Sequence, residues 1–196
     1  MSNSALPRIK RGTGPKAKLT SQNYRSRALP FLLEDFKERC GYSMRHVLYC
    51  GKKCLEIDHF NSQAKANKRH VYSNLILAHR ICNNKKQDFW PTAKERRDGI
   101  RYINPCEEAD YDFQIFENPN THELVGTTPA AKYHILMLDL NDPSFVQERK
   151  DRSDLANCLE GRRPAVLKGG FSELSDGIKA MREMLNRMIP LISPPP

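Results

Sequence analysis

The sequence predicts an α+β fold in which two short strands and a helix lie among other helices. Residues 55–59 mix polar and apolar side chains in the alternating manner of a half-buried strand. The run Asn-Leu-Ile-Leu at 74–77 predicts a second short strand or a turn. Between them, 61–73 is a loop rich in cations with almost no large apolar side chains, and from about Ile81 the chain can form a helix. These segments predict a strand–loop–strand–helix unit.

Further elements are predicted on both sides of this unit. The spacing of Leu32 and Phe36 predicts an amphipathic helix that turns both side chains inward. The run Asn118-Pro119-Asn120 is a strong turn signal between two strands, and apolar residues at three- and four-residue steps predict a C-terminal helix. In chain order, the predicted elements are a helix within 29–39, a hairpin of 111–116 with 123–125, and helices within 129–140, 144–152 and 172–188.

The composition changes along the chain and divides it into four segments. The first is basic and cannot build a core by itself, so it would lie along a phosphate backbone or dock on the rest of the protein. The predicted segments are a basic N-terminal arm (1–28), the strand–loop–strand–helix unit with its preceding helix (29–95), a hairpin and helix extension (96–152), and a C-terminal helical segment (153–196).

The charge of the chain favours a polyanionic partner. Its formal net charge is +9 with an isoelectric point near 9.3. Such a field attracts nucleic acid, although basicity alone also fits a solubility feature or a patch that touches a membrane surface. No apolar run approaches the roughly 20 residues that span a bilayer, and no signal peptide is recognisable. Six cysteines are not a dense disulfide framework for this length, so we expect reduced thiols and a cytoplasmic protein.

Four polar residues form the candidate site, because the predicted unit would bring them together: Asp58, His59, Asn74 and Asn83. Oxygen ligands from Asp58 and Asn83 suit a hard cation such as Mg²⁺ or Mn²⁺. At an ordinary pKa of roughly 6.5, much of His59 is neutral near pH 7 and can take a proton from water. Asn74 would hold the imidazole in one tautomer through a side-chain or backbone contact. One metal, one base and surrounding cations are a minimal set for phosphodiester hydrolysis.

These residues resemble the motif of HNH endonucleases, which form part of the His-Me finger (ββα-metal) superfamily. The pair Asp58-His59 resembles the family's metal ligand and general base. Asn74 resembles its middle asparagine and Asn83 its third motif residue, and Lys86 stands where a lysine often follows. A lone Asp-His pair means little, but this ordered set is hard to obtain by chance. The resemblance implies a ββα-metal finger with a divalent cation, for which we favour Mg²⁺ over Mn²⁺, Ni²⁺ or Zn²⁺.

Cations near the site are the candidate contacts to nucleic acid. In the resemblance, the loop after His59 lies beside the scissile phosphate, so its cations would touch the backbone; an ordinary solvated loop is the alternative. We expect His70, in the same loop, to be a surface side chain and not a second base. The candidate contacts are Lys65, Lys68, Arg69, Lys85 and Lys86.

Many HNH proteins brace the finger with a structural zinc ion held by two Cys-x-x-Cys pairs. Here the first pair reads Cys-Gly-Tyr-Ser from Cys40, and the second reads His79-x-x-Cys82. A tetrahedral structural site needs four nitrogen or sulfur ligands, and this set supplies only Cys40, His79 and Cys82. We therefore expect no intact zinc cluster but small buried thiols. Cys50 and Cys54 offer replacement thiols at a different place in the chain.

The resemblance predicts a metal-dependent endonuclease that hydrolyses DNA, with RNA as an alternative substrate. A hairpin, a Leu-x-Leu-Asn segment and a basic helix within 100–152 are similar to bacterial defence-associated HNH proteins such as the nuclease subunit of the Septu anti-phage system. This similarity implies a role in defence against phage. Two other functions stay open: a non-catalytic nucleic-acid-binding module, and an effector whose C-terminal helix docks on an activating ATPase or sensor subunit. No membrane partner is expected.

Overall fold

The computed structural model describes residues 4–5, 8–107, 113–168, 179 and 181 as an α+β fold with two small antiparallel sheets. The strands are β1 (Ser4–Ala5), β2 (Leu55–His59), β3 (Leu75–His79), β4 (Ile115–Glu117) and β5 (Leu124–Gly126). The helices are α1 (Tyr24–Asp35), α2 (Val47–Cys50), α3 (Ala66–Arg69), α4 (Arg80–Lys86), α5 (Ala93–Arg97), α6 (Pro129–Met137) and α7 (Pro143–Lys168). Short 3₁₀ turns at Lys52–Cys54 and Tyr72–Asn74 lead into β2 and β3.

The hairpin of β2 and β3 with the following α4 is the predicted strand–loop–strand–helix unit. The strands pair antiparallel, with Leu55 opposite His79 at one end and His59 opposite Leu75 at the other. Every residue of β3 is buried, whereas β2 keeps the half-buried pattern that its alternation predicted. Helix α4 starts directly after β3 and packs against both strands of the hairpin. The hairpin, the 3₁₀ turn before β3 and α4 together carry all the motif residues.

Helix α1 covers one side of this hairpin. It begins at Tyr24, earlier than the predicted start near residue 29, because Thr20 and Asn23 already form a hydrogen-bonded turn ahead of it. Leu32 and Phe36 are buried, as their spacing predicted, and α1 packs on β3. The prediction of an amphipathic helix here is confirmed.

The basic residues before α1 dock on the protein. The Ile9 amide donates to the Pro105 carbonyl (2.8 Å), and Arg11 donates to the Tyr72 carbonyl (3.0 Å). Gly14 has φ of +70°, and a Cβ there would lie 2.4 Å from the Tyr72 ring, so glycine permits this close approach. Of the two alternatives for the arm, docking on the rest of the protein therefore applies to residues 8–23.

The second sheet has the strand order β1-β4-β5. The hairpin of β4 and β5 around the 118–120 turn was predicted, whereas the addition of β1 at its edge was not. Helix α6 packs on β5, with Thr128 as its N-cap and Ile135 and Leu138 buried as expected. The helix predicted over 172–188 lies outside the described residues, apart from 179 and 181. No helix in the described part of the chain is long and apolar enough to cross a membrane.

Candidate active site

The Asp58 side chain of β2 forms a buried ion pair with Lys86 of α4. One carboxylate oxygen accepts from the Tyr42 hydroxyl (2.6 Å) and the other from the Lys86 ammonium (3.0 Å). Lys86 also donates to the His59 carbonyl (2.9 Å); it is fully buried, and Asp58 is only 5% exposed. Burial and the neighbouring Asp58 raise the pKa of Tyr42 well above its ordinary value, so its hydroxyl stays a donor. The carboxylate is thus fixed in position and neutralised inside the fold.

Asn83 lies in α4 about one turn before Lys86. It faces a second carboxylate of β2, that of Glu56. Its amide nitrogen donates to Glu56 (2.8 Å), whose other oxygen accepts from Arg80 (3.1 Å). Glu56 and Asp58 are two residues apart on one strand and so share a face, just as Asn83 and Lys86 share a face of α4. The junction of β2 with α4 therefore presents two carboxylates and one amide in matched register.

These oxygen donors fit a hard divalent cation. Asp58 and Asn83 supply the carboxylate and amide oxygens that such ions prefer. Because the Asn83 amide nitrogen faces Glu56, the amide oxygen points away from that carboxylate. Each Asp58 oxygen has a second lone pair beyond those used by Tyr42 and Lys86. The Lys86 ammonium already neutralises Asp58, so a metal would have to share the carboxylate with Lys86 or displace it.

The His59 ring lies at the end of β2 between Tyr24 and His70. Its Nε2 is 3.1 Å from Nδ1 of His70, and its centroid is 5.1 Å from that of Tyr24. Tyr24 stacks on His70 at 4.7 Å between centroids, so all three rings support one another. Burial, followed by the charges of His70 and Arg69, lowers the pKa of His59 to about 4. The imidazole is therefore neutral at pH 7, and the lowered pKa makes it a weaker base than an ordinary histidine.

Asn74 holds the loop after His59. Its side-chain oxygen accepts from the Asn61 amide (2.9 Å), and its nitrogen donates to the carbonyls of Asn61 (3.2 Å) and Arg69 (3.0 Å). The expected contact of Asn74 with the imidazole is replaced: among the described residues, the side chain that hydrogen-bonds the His59 ring is His70. Asn74 acts on the ring only through the backbone that it holds.

The cations predicted to contact nucleic acid occupy different environments. Lys65 and Lys68 are exposed, and Arg69 is partly exposed with Asp88 at 3.9 Å. Lys85 is exposed too, although its ammonium pairs with Asp139 at 2.8 Å. The prediction for Lys86 needs correction, because a fully buried ammonium bonded to Asp58 cannot reach a ligand outside the fold.

A cationic cavity of about 610 Å³ opens beside the histidine pair. Its two walls are residues 15–21 of the docked arm and residues 66–72 of the loop. Lys16, Lys18 and Arg69 contribute positive charge, and none of the described residues that line it is acidic. His70 lines the cavity and bonds His59, which does not line it, so the His70 ring lies between the groove and the His59 imidazole.

The thiols of this region form two separate groups. Cys40 and Cys82 are fully buried and hydrogen-bond each other. His79 lies instead with Cys50 and Cys54, whose ligand atoms are all within 4.8 Å of one another and of His79. This is the only group of three His, Cys, Asp or Glu ligands so close together in the part of the chain that is described. The structure therefore does not gather the predicted set of Cys40, His79 and Cys82.

A protein-family model matches the segment that contains the hairpin and α4. Residues 38–89 match the family model for HNH endonucleases. The match spans the hairpin, α4 and all four predicted site residues, and it supports an HNH-type nuclease domain within the α+β fold. HNH nucleases act on nucleic acid and generally use a divalent metal ion, in agreement with the donors found here. No curated protein and no solved structure gives a significant match to the chain.

Sequence reasoning missed three side chains that shape this candidate site. Glu56 carried a usable signal, because it lies two residues before Asp58 on a predicted strand and so faces the same way. His70 was expected at the surface, and only the folded loop brings it to His59. Tyr42 lies 16 residues before Asp58, and nothing in the local pattern marks it as the carboxylate's partner.

Proposed function

We propose that this protein is a metal-dependent HNH endonuclease that hydrolyses phosphodiester bonds of DNA, with His59 as the general base. The observation that carries the proposal is the position of the His59 ring, which directly follows the fixed carboxylate of Asp58 and bonds His70 on the wall of a cationic groove. A base, hard oxygen donors and phosphate-binding charge are the parts that this hydrolysis requires.

The histidine pair orients the base. When the His59 proton is on Nε2, it is donated to Nδ1 of His70, and Nδ1 of His59 is left as the proton acceptor. The Tyr24 ring packs on both imidazoles and limits their rotation. His59 then takes a proton from the attacking water at Nδ1, and Asn74 keeps the loop in the conformation that holds His70 in place.

Asp58 and Asn83 are the proposed ligands of the divalent ion, with Mg²⁺ favoured because both donors are oxygens. When bound, the ion stabilises negative charge on the phosphate and on the leaving oxygen. Tyr42 fixes the orientation of Asp58, and Glu56 that of Asn83. We propose that this arrangement is a ββα-metal finger, as the motif implies.

The substrate strand is proposed to follow the groove between 15–21 and 66–72. Its cations neutralise phosphates, so binding should weaken as salt increases. Lys65 and Lys68 extend the positive surface outside the groove. DNA is our proposed substrate, and RNA offers the same phosphates and is the alternative.

We propose a cytoplasmic role in bacterial defence against phage, similar to that of the Septu nuclease subunit. The support is the hairpin, Leu-x-Leu-Asn segment and long helix α7 that follow the HNH domain. An ATPase or sensor subunit that docks on the C-terminal segment is the proposed activating partner.

A second candidate function is a nucleic-acid-binding module without catalysis. The observation that favours it is the Asp58–Lys86 pair, since a lysine that stays on the carboxylate would keep a metal away.

One experiment distinguishes the two functions. Purified protein is incubated with supercoiled plasmid, or with structured RNA, in Mg²⁺, Mn²⁺, Ni²⁺, Zn²⁺ or EDTA. Nicked or linear DNA with metal but not with EDTA supports the nuclease. Salt-sensitive binding with intact substrate in every metal supports the binding module, and cleavage that requires a co-purified subunit supports partner activation.

A further inference from the structure

We propose that Cys50, Cys54 and His79 bind a zinc ion that braces the HNH domain, at a place separate from its catalytic site. Cys50 ends α2, Cys54 ends the 3₁₀ turn that follows, and His79 ends β3. One ligand atom of each lies within 4.8 Å of the others. Two thiolates and an imidazole are donors that zinc prefers over the hard cations expected at Asp58.

The hairpin register separates this site from the proposed catalytic metal. His79 pairs with Leu55 at one end of the hairpin, and His59 pairs with Leu75 at the other. Four strand residues at about 3.4 Å each separate the two ends by roughly 13 Å. A zinc ion at His79 is therefore too far away to act on a phosphate beside His59.

The site also differs from the family's structural-zinc position, here called the knuckle, where this sequence has Cys40 and Cys82. Those two thiols are fully buried and bonded to each other, and the ring of His79 lies with the other pair of cysteines. Cys50 and Cys54 are only half-buried, so a metal can enter from solvent and keep a water as its fourth ligand.

Zinc binding here balances charge and protons. The thiols of Cys50 and Cys54 each release one proton to solvent, and the two thiolates neutralise the ion. The imidazole binds in its neutral form; burial and the charge of Arg45 already lower the pKa of His79 to about 4. Burial, followed by the hydrogen bond with Cys54, raises the pKa of Cys50 to about 12, so this thiol keeps its proton at pH 7 until a metal displaces it.

His79 links the site to α4. Its Nδ1 accepts from the Ile81 amide (3.2 Å) as the N-cap of α4, so without a metal the neutral ring carries its proton on Nε2. A neutral imidazole that binds through Nε2 carries its proton on Nδ1, so the coordinate bond replaces this N-cap bond. The ion would then tie α2 and the 3₁₀ turn to the start of α4, which carries Asn83 and Lys86.

The test measures metal content and ligation, not cleavage. The full chain is purified, assayed for zinc by mass spectrometry, and titrated with Co²⁺ as a spectroscopic substitute. We expect one equivalent of zinc, and a cobalt form whose charge-transfer absorption corresponds to two thiolates. Cys54→Ser and Cys50→Ser should each lower zinc content at least tenfold, whereas the matched control Cys106→Ser should keep it.

Two results would overturn the zinc proposal. One is a wild-type protein that neither contains zinc nor gives the cobalt thiolate absorption. The other is zinc that survives Cys50→Ser and Cys54→Ser but is lost from Cys40→Ser, which would place the ion in the knuckle. Circular dichroism of each variant separates lost ligation from lost folding, and the thiolate count of folded wild type tests the proposal even if one variant fails to fold.

Discussion

Replacement of Lys86 by methionine tests how strongly the Asp58–Lys86 pair holds the β2–β3 hairpin and α4 together. Methionine keeps most of the buried volume but removes the ammonium that bonds Asp58 and the His59 carbonyl. Asp58 would then be a buried carboxylate with the Tyr42 hydroxyl as its remaining described partner. Loss of one member of a buried pair typically costs about 3–5 kcal/mol. At about 2–4 °C per kcal/mol for a chain of this size, the melting temperature should fall by roughly 6–20 °C.

Urea unfolding of a small set of variants measures this cost. Lys85→Met is the matched control, because Lys85 is the exposed neighbour in the same helix, and its midpoint should stay close to wild type. The double variant Asp58→Asn with Lys86→Met should regain part of the lost stability, since no unpaired charge is then buried. The reasoning is refuted if Lys86→Met unfolds at the same urea concentration as Lys85→Met.

Three further predictions concern the loop, the histidines and the groove. Asn74→Ala removes three hydrogen bonds to the loop, so it should cost about 1–3 kcal/mol of unfolding free energy and slow cleavage; an unchanged urea midpoint would contradict the anchoring role. Burial lowers the pKa of His59 to about 4 and that of His134 to about 3. These values lie below the roughly 6.5 of an unfolded histidine, so below pH 6.5 the unfolded chain binds more protons than the folded one. The free energy of unfolding is therefore at its full value above pH 6.5 and decreases as the pH falls towards 4. The urea midpoint should therefore be lower at pH 5 than at pH 7, and His134→Asn should reduce that difference; equal pH dependence in both proteins would argue against it. The paired change of Lys16 and Lys18 to alanine should weaken DNA binding and reduce the slope of log K against log salt by about 0.9 for each lost phosphate contact; an unchanged slope would place the substrate elsewhere.

The parts of the fold that local periodicity determines were predictable. Alternation over 55–59 predicted β2, and the spacing of Leu32 with Phe36 predicted an inward helix face. The turn at 118–120 likewise predicted the second hairpin. These signals depend on side chains a few residues apart, which is the range over which a sequence pattern reports directly on structure.

The long-range contacts of the site were not predictable in the same way. Lys86 follows two polar residues and another lysine, so the pattern favours an exposed cation, yet its ammonium bonds a carboxylate 28 residues earlier. His70 belongs to a polar loop, and its place beside His59 depends on Asn74 and on the stacking of Tyr24. The docked arm depends on single contacts such as the Ile9 amide. Each contact joins segments that no local pattern connects.

The cleavage rate of His59→Ala is the most direct measurement of the proposed function. Plasmid nicking is followed under single-turnover conditions in Mg²⁺, or in whichever metal gives wild-type activity, with protein in excess over its measured DNA Kd. General-base catalysis contributes about 10²–10⁴-fold, so the rate should fall at least about 100-fold while the DNA Kd stays within a few fold of wild type. A His59→Ala protein that folds, binds DNA and cuts within a few fold of the wild-type rate would contradict the assignment of His59 as the base.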